Sequence, residues 1–283
     1  MAKQNILILG YGLLGADFSR LYGSDYQIRG IRRSPLHDAA PIVIQMAIQD
    51  VLLRSHLEWA DVIIFCPAPE GKHLAQYRET YLENMQFLLD LLKVPPRLPR
   101  IILISSTGVY PRASDGQWRE DDAIPIETPI QEVLLSTEQA LIKSGVPYAI
   151  LRSGGLYGEG RGYYHRVMKR GFINQSEMSD AWMTSVHQDD LCGVINRIIQ
   201  RNRFGVAPLA GEIYNVVDDT DMRKKALVEW IAKAFELPIV SDGPPPPALN
   251  RRIGTEKLTA QLGYTFRYKT AITFLEERKR RIR

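Results

Sequence analysis

The chain has 283 residues, 45% of them hydrophobic, and a formal net charge of +4, enough for one large or two smaller cores. Cys66 and Cys192 lie far apart in apolar stretches with no CxxC spacing, which excludes a disulfide framework and a thiolate metal site and reads as free thiols in a reducing compartment. There is no secretory signal pattern and no apolar run of about 18 residues, so secretion and membrane spanning are set aside and the cytoplasm is the expected location.

The first apolar run, Asn5 to Leu9, leads into Gly10-Tyr11-Gly12-Leu13-Leu14-Gly15 and then a helical stretch. Each glycine has a physical reason. Gly10 allows a tight bend, Gly12 has no Cβ to hold the backbone away from a pyrophosphate, and Gly15 lets the helix pack closely on the strand. The helix N-terminus aims free N–H groups and partial positive charge at phosphates. Gly10, Tyr11, Gly12, Leu13, Leu14 and Gly15 are therefore expected to line a dinucleotide site. A second strand, Tyr26 to Ile31, ends in Arg32-Arg33-Ser34. A fold that prefers NAD places Asp or Glu there for the ribose 2′-OH. Two guanidinium groups and a hydroxyl suit a 2′-phosphate instead, so NADP is expected over NAD. A third strand, 42–46, is followed by Asp50-Val51, a place for contact with the adenine edge.

Further apolar runs fall at 62–66, 100–104 and 147–151, with helical pattern between most of them, notably Lys72 to Lys93. Alternation of this kind implies an α/β fold, a Rossmann-type doubly wound parallel sheet. Ligands bind outside the carboxyl ends of such strands, so Pro67-Ala68-Pro69 and Ser105-Ser106-Thr107 are expected to face the cofactor. After Leu151 the pattern changes to glycine-rich turns, a strand at 212–217 and a helix from Met222 to Phe235, with Asp219, Thr220 and Asp221 as candidate caps. The Rossmann domain is assigned to 1–153, with 186–202 and 212–217 returning to it. Residues 154–185 and 218–283 form a smaller α+β substrate lid. The basic end, Arg278 to Arg283, carries no interleaved aromatic residues and reads as a solvated terminus, giving no reason to expect nucleic acid.

Several segments resemble the extended and atypical short-chain dehydrogenase/reductase proteins, the NAD(P)-dependent epimerase/dehydratase family. Ser105-Ser106-Thr107-Gly108-Val109-Tyr110 is similar to its serine-rich segment, and Glu120-Asp121-Asp122 with Pro125 to its acidic-proline loop. Leu151-Arg152 and Leu156 to Arg161 resemble the entry to the substrate domain. His187-Gln188-Asp189-Asp190 resembles the returning His-x-Asp-Asp motif, and Tyr214-Asn215 a late Tyr-Asn pair. The resemblance implies a small-molecule substrate, a sugar or nucleotide sugar among them, and a homodimer. Beyond the His187, Asp189 and Asp190 motif no further ligand sits at sensible spacing, so no metal is expected.

The chain departs from that pattern where it matters most. The family carries Tyr-x-x-x-Lys on a helix ahead of a Glu, the lysine activating the phenol for proton exchange. Here Thr128 is the expected N-cap, Pro129 the first helical residue, Gln131 the capping-box partner and Glu138 the family's Glu. Counting back places Ile130 and Leu134 at the Tyr and Lys positions, and none of the 13 tyrosines has a lysine four residues later. Ser106 is then the candidate that holds the reacting oxygen. Tyr110 and Tyr157, both expected in loops near the nicotinamide site, are the candidate proton donors, and Arg152 and Arg161 the candidate anchors for a substrate anion; Gly155 replaces the Asn of sugar-nucleotide enzymes. The expected activity is hydride transfer on a small polar substrate. The alternative is a non-catalytic NADP-binding redox sensor or regulatory protein.

Overall fold

The computed structural model of the chain describes residues 3–35, 42–71, 73–93, 98–112, 115–203, 211–218, 221–248 and 250–282. The first elements are β1 (Asn5–Leu9), α1 (Leu13–Tyr22), β2 (Gln27–Arg32), β3 (Ile42–Gln45), α2 (Leu53–Trp59) and β4 (Val62–Phe65). Then come α3 (Leu74–Tyr77), a π-helical stretch at Arg78–Glu83, α4 (Asn84–Leu91), β5 (Arg100–Ser106) and β6 (Gly116–Trp118). The middle holds α5 (Pro129–Lys143), β7 (Tyr148–Ser153), β8 (Gly155–Tyr157), α6 (Gly162–Arg170), β9 (Ile173–Asn174), β10 (Ser185–His187) and α7 (Gln188–Arg203). The chain closes with β11 (Glu212–Val216), α8 (Lys224–Ala234), β12 (Ile239–Val240), β13 (Arg251–Ile253), α9 (Glu256–Leu262) and α10 (Ala271–Ile282).

Seven strands form one sheet in the order β11-β7-β5-β4-β1-β2-β3. The pairs β1–β2, β2–β3, β1–β4 and β4–β5 are parallel. Strand order reverses beside β1, so the crevice between β1 and β4 is the place where a doubly wound sheet takes its ligand. The continuous apolar runs follow from burial on both faces. On one face Leu7, Leu9, Ile63, Phe65, Ile101 and Leu103 pack with Leu53 and Leu57 of α2, Met85 and Leu88 of α4 and Leu141 of α5. Gly15 of α1 approaches Ile8 on the other face, where Tyr26 donates to Asn196 of α7 at 2.5 Å.

The chain divides into two compact units. One comprises Met1–Val109, Ile124–Arg152 and Cys192–Tyr214, the other Tyr110–Ala123, Ser153–Leu191 and Asn215–Arg283. The division departs from the sequence expectation at several places: segment 110–123, Ser153 and 215–217 join the second unit, and the chain returns to the first at Cys192 rather than at 186. The second unit has its own core, in which Tyr157, Val167, Ile173, Leu227, Val228, Ile231 and Phe274 are buried together.

Two element boundaries correct the sequence reading. The helix at Lys72–Lys93 is interrupted by the π-helical turn, and Lys72 itself lies outside the described residues. The helix expected from Met222 starts at Lys224, with Arg223 at the cap and no side-chain cap bond. Met222 and Arg223 are held extended because Met183 N–H donates to the Met222 carbonyl, Lys224 N–H donates to Ala181, and Trp182 bridges to Arg223. Asp221 pairs with Arg252 instead of capping, and Asp219 and Thr220 lie outside the described residues. No helix among the described residues is long and apolar enough to cross a membrane.

Candidate functional site

The turn between β1 and α1 is built for a close approach. Gly10 has φ +85°, and a Cβ there would stand 2.4 Å from Pro67 Cα and 2.5 Å from Pro67 N, so both the left-handed backbone and the neighbouring strand end demand glycine. Gly12 differs: its φ is −116°, and a Cβ would meet nothing nearer than the Gly10 carbonyl at 3.8 Å. Packing within the protein therefore does not require glycine at position 12, whereas a pyrophosphate lying on the turn does. Gly12 is the N-cap of α1, and no side chain caps the helix. The N–H groups of Leu13, Leu14 and Gly15 thus open the helix as unsatisfied donors. These features fit the diphosphate of a dinucleotide.

Tyr11 corrects its expected role. Gly10 N–H and Tyr11 N–H both donate to the Ile31 carbonyl, at 3.0 and 2.8 Å, so the Tyr11 amide is already used. Its ring is buried and lies over two glycines: a Cβ would come within 2.9 Å of it at Gly15 and 2.4 Å at Gly30. Tyr11 is a packing wedge. Gly30 was missed from the sequence, although a glycine inside a strand signals a close neighbour.

At the end of β2, Arg32 makes no ion pair among the described residues. Arg33 reaches Glu70 at 3.0 Å and Glu79 at 3.7 Å, all three side chains more than half exposed. Glu70 directly follows Pro67-Ala68-Pro69 and was not singled out from the sequence. Ser34 is exposed beside them. Asp50 accepts from Leu52 N–H at 2.9 Å, a turn ahead of α2, while Val51 is exposed and apolar.

The end of β5 separates two serines by the alternation of a strand. Ser105 is buried, and its hydroxyl donates to Glu138 Oε1 at 2.6 Å. Arg152, also buried, forks onto the same Glu138 through Nε at 3.2 Å and Nη2 at 2.8 Å. The Arg152 guanidinium and the Ser105 hydroxyl are therefore committed to the scaffold, which corrects their assignment to substrate and cofactor. Ser106 is half-buried; its Oγ accepts from Gly108 N–H at 3.0 Å, which leaves its proton to give. Helix α5 is announced as the sequence predicts: Thr128 Oγ1 accepts from Gln131 N–H, and Gln131 Oε1 accepts from Thr128 N–H. Gln131 Nε2 also donates to the Val109 and Pro125 carbonyls. That fixes α5 against the turn after β5, and Leu134, at the lysine position, stands 3.6 Å from a Cβ built on Gly108.

In the second unit the two candidate phenols are interior residues. The Tyr110 hydroxyl donates to Asn215 Oδ1 at 2.8 Å, and the ring is buried against Trp118. Tyr157 lies in β8, not in a loop, and is buried against His187 and Phe274. Burial, and then the neighbouring Asp218 carboxylate, push its phenol far above the ordinary range. Neither is placed to act as a base, which corrects their catalytic assignment. Asp190 accepts from Tyr264 Oη and from the N–H groups of Arg267 and Tyr268, tying down the segment before α10. Arg161 is the N-cap of α6 and borders a pocket of about 200 Å³.

No protein-family model matches the sequence, and no curated protein matches it. Solved structures do. A Methylobacillus flagellatus protein assigned to the NAD-dependent epimerase/dehydratases is 23% identical over 99% of each chain, with a TM-score of 0.79. MoeE5, solved with UDP-glucuronic acid and NAD, is 17% identical over 99% of this chain and 100% of its own, with a TM-score of 0.80. UDP-glucuronic acid 4-epimerase from Bacillus cereus, solved with UDP-glucuronic acid and NAD, is 19% identical over 94% and 95%, with a TM-score of 0.76. Over nearly its whole length the chain has the fold of the NAD-dependent epimerase/dehydratase structures.

Proposed function

We propose that the chain is a nicotinamide-dinucleotide oxidoreductase of the epimerase/dehydratase kind, preferring NADP and acting on a hydroxyl or carbonyl of a small polar substrate. The observation that carries the reading is Gly12, a glycine that the protein's own packing leaves optional at a helix N-terminus open to phosphate. Arg32, with no ion pair among the described residues, is the candidate holder of the 2′-phosphate, and the exposed apolar Val51 is a surface for adenine. Leu13 and Leu14 would give main-chain donors to the diphosphate, with Pro67 against Gly10 and Ala68 and Pro69 following it toward the cofactor. The neighbours MoeE5 and the Bacillus cereus epimerase are solved with NAD; the arginines at the end of β2 are the reason to expect the phosphorylated form here.

Bound there, a nicotinamide would supply hydride exchange with a substrate carbon. Ser106 would give its proton in a hydrogen bond to the substrate oxygen while Gly108 N–H holds its Oγ. For an alcohol, the carbon loses a hydride, the hydroxyl proton passes to water, and a carbonyl remains. With Ile130 and Leu134 in place of a phenol and an ammonium, water is the proton partner. Ser106→Ala is expected to lower turnover at least tenfold, about 1.4 kcal/mol of barrier, with NADPH affinity unchanged; equal turnover refutes the role. A second reading, a non-catalytic NADP-binding redox sensor, is favoured by the apolar Ile130 and Leu134 and the interior phenols. Saturable turnover of any ketone, alcohol or nucleotide sugar with NADPH or NADP eliminates it.

A further inference from the structure

The pocket bordered by Arg161 lies wholly within the second unit, and its walls are mostly apolar. Leu156, Met183, Leu227, Ala271, Phe274 and Leu275 supply them. Its volume, about 200 Å³, falls below the roughly 300–1,000 Å³ of pockets that take drug-sized ligands. A compact occupant is implied. Inside this apolar wall Tyr157 is nine-tenths buried, its phenol beside the Asp218 carboxylate.

One side of the pocket is cationic. The loop from Gly158 to Gly162 enters α6 with Gly160 at φ +72° and Gly162 at φ +87°, and a Cβ on Gly162 would stand 2.8 Å from Tyr157 Cβ. No side chain caps α6, so its first N–H groups, at Gly162 and Tyr163 on the pocket wall, point outward as donors. Tyr163 is flanked by Arg166 at 5.8 Å and Lys224 at 5.6 Å from its ring centre. Among the described residues neither cation makes an ion pair. The nearby carboxylates are engaged: Glu177 takes Arg170 and Asn174 N–H, and Glu159 takes Arg278. Burial holds the Lys224 ammonium below its ordinary range, the nearby Glu177 charge offsetting part of that effect.

We propose that this pocket binds a small organic acid, its carboxylate held by Arg166, Lys224 and the first N–H groups of α6, its compact apolar body against Leu156, Met183, Leu227 and Phe274. As substrate of the reaction proposed above, an assignment that rests on that reading, it is a hydroxy or oxo acid. Titration calorimetry on the full chain, with 3-phenyllactate and phenylpyruvate as probes, tests this against the uncharged 2-phenylethanol and UDP-glucose. The acids are expected to saturate and the neutral alcohol to bind at least tenfold more weakly. Arg166→Ala and Lys224→Met, separately and together, are expected to weaken the acids tenfold or more while NADPH affinity and the unfolding transition stay unchanged. Equal binding of acid and neutral alcohol, saturation by UDP-glucose but not by the acids, or variants that bind the acids as the wild type does, each overturns the proposal. NADPH is titrated alone in parallel. Acid binding without NADPH binding removes the oxidoreductase reading and leaves the pocket assignment standing; NADPH binding without acid binding does the reverse.

Discussion

Alanine at Gly10 and alanine at Gly12 should do opposite things, although the two glycines are one residue apart. At Gly10 the backbone sits at φ +85°, which costs an L-residue roughly 1–2 kcal/mol. The new methyl would also stand 2.4 Å from Pro67 Cα; main chain cannot rotate away, and overpacking adds about 1–3 kcal/mol. Gly10→Ala should therefore lose about 2–5 kcal/mol of stability. At roughly 2–4 °C per kcal/mol for a chain of this size, the melting temperature drops by about 4–20 °C. Gly12→Ala meets neither cost, since φ is −116° and the nearest atom is 3.8 Å away. Its folding should change little or gain about 0.4–1 kcal/mol from the stiffer unfolded chain. The methyl instead stands over the helix N-terminus, where losing one charge-assisted N–H bond to a phosphate is worth about 1.5–3 kcal/mol, a roughly tenfold to hundredfold loss of NADPH affinity. Differential scanning calorimetry and NADPH fluorescence titration on both variants separate the two effects. A Gly12→Ala protein that melts normally and binds NADPH within about twofold of wild type refutes the pyrophosphate assignment.

Arg32→Ala should weaken NADPH at least tenfold and NADH little, and Arg33→Ala should do less because Glu70 and Glu79 already draw its charge. Glu70→Gln leaves Arg33 only the longer Glu79 contact and should tighten NADPH by about twofold to fivefold; equal effects on NADPH and NADH in fluorescence titrations contradict the 2′-phosphate assignment. Arg152→Ala leaves Glu138 buried without its bidentate partner and should cost about 3–5 kcal/mol, read as a lower midpoint in urea unfolding; an unshifted midpoint disproves the scaffold role. The Tyr157 phenol, held up by burial and by Asp218, should remain protonated from pH 6 to 9. Tyr157→Phe should then leave the shape of the pH–rate profile unchanged, and an alkaline limb below pH 9 that vanishes in the variant would count against this.

The sheet was legible because strands buried on both faces must be apolar throughout, as Val62 to Phe65 and Ile101 to Ile104 are. The start of α5 could be read to the residue, since a threonine, a proline and a glutamine at fixed offsets satisfy named main-chain groups. Side-chain direction was not legible. Ser105 and Ser106 are adjacent in sequence, yet strand alternation sends one hydroxyl to Glu138 and leaves the other half-exposed. Arg152 resembled a substrate anchor because an arginine in a motif does not announce its buried partner 14 residues earlier. Tyr110 and Tyr157 stood in segments that read as loops, and only the packing of the second unit shows their rings to be core. The late start of α8 has the same origin: pairing with 181–183 is non-local and overrides Asp221 as a cap.

The Tyr11 wedge makes three distant positions answerable to one another. Any methyl added at Gly15 or Gly30 collides with the same ring, so neither glycine can drift while the aromatic stays. A shrunken residue at position 11 would tolerate both changes at once. Substitutions at these sites should therefore be epistatic: a lineage that abandons the aromatic can relax its glycines, and one that keeps it inherits all three together.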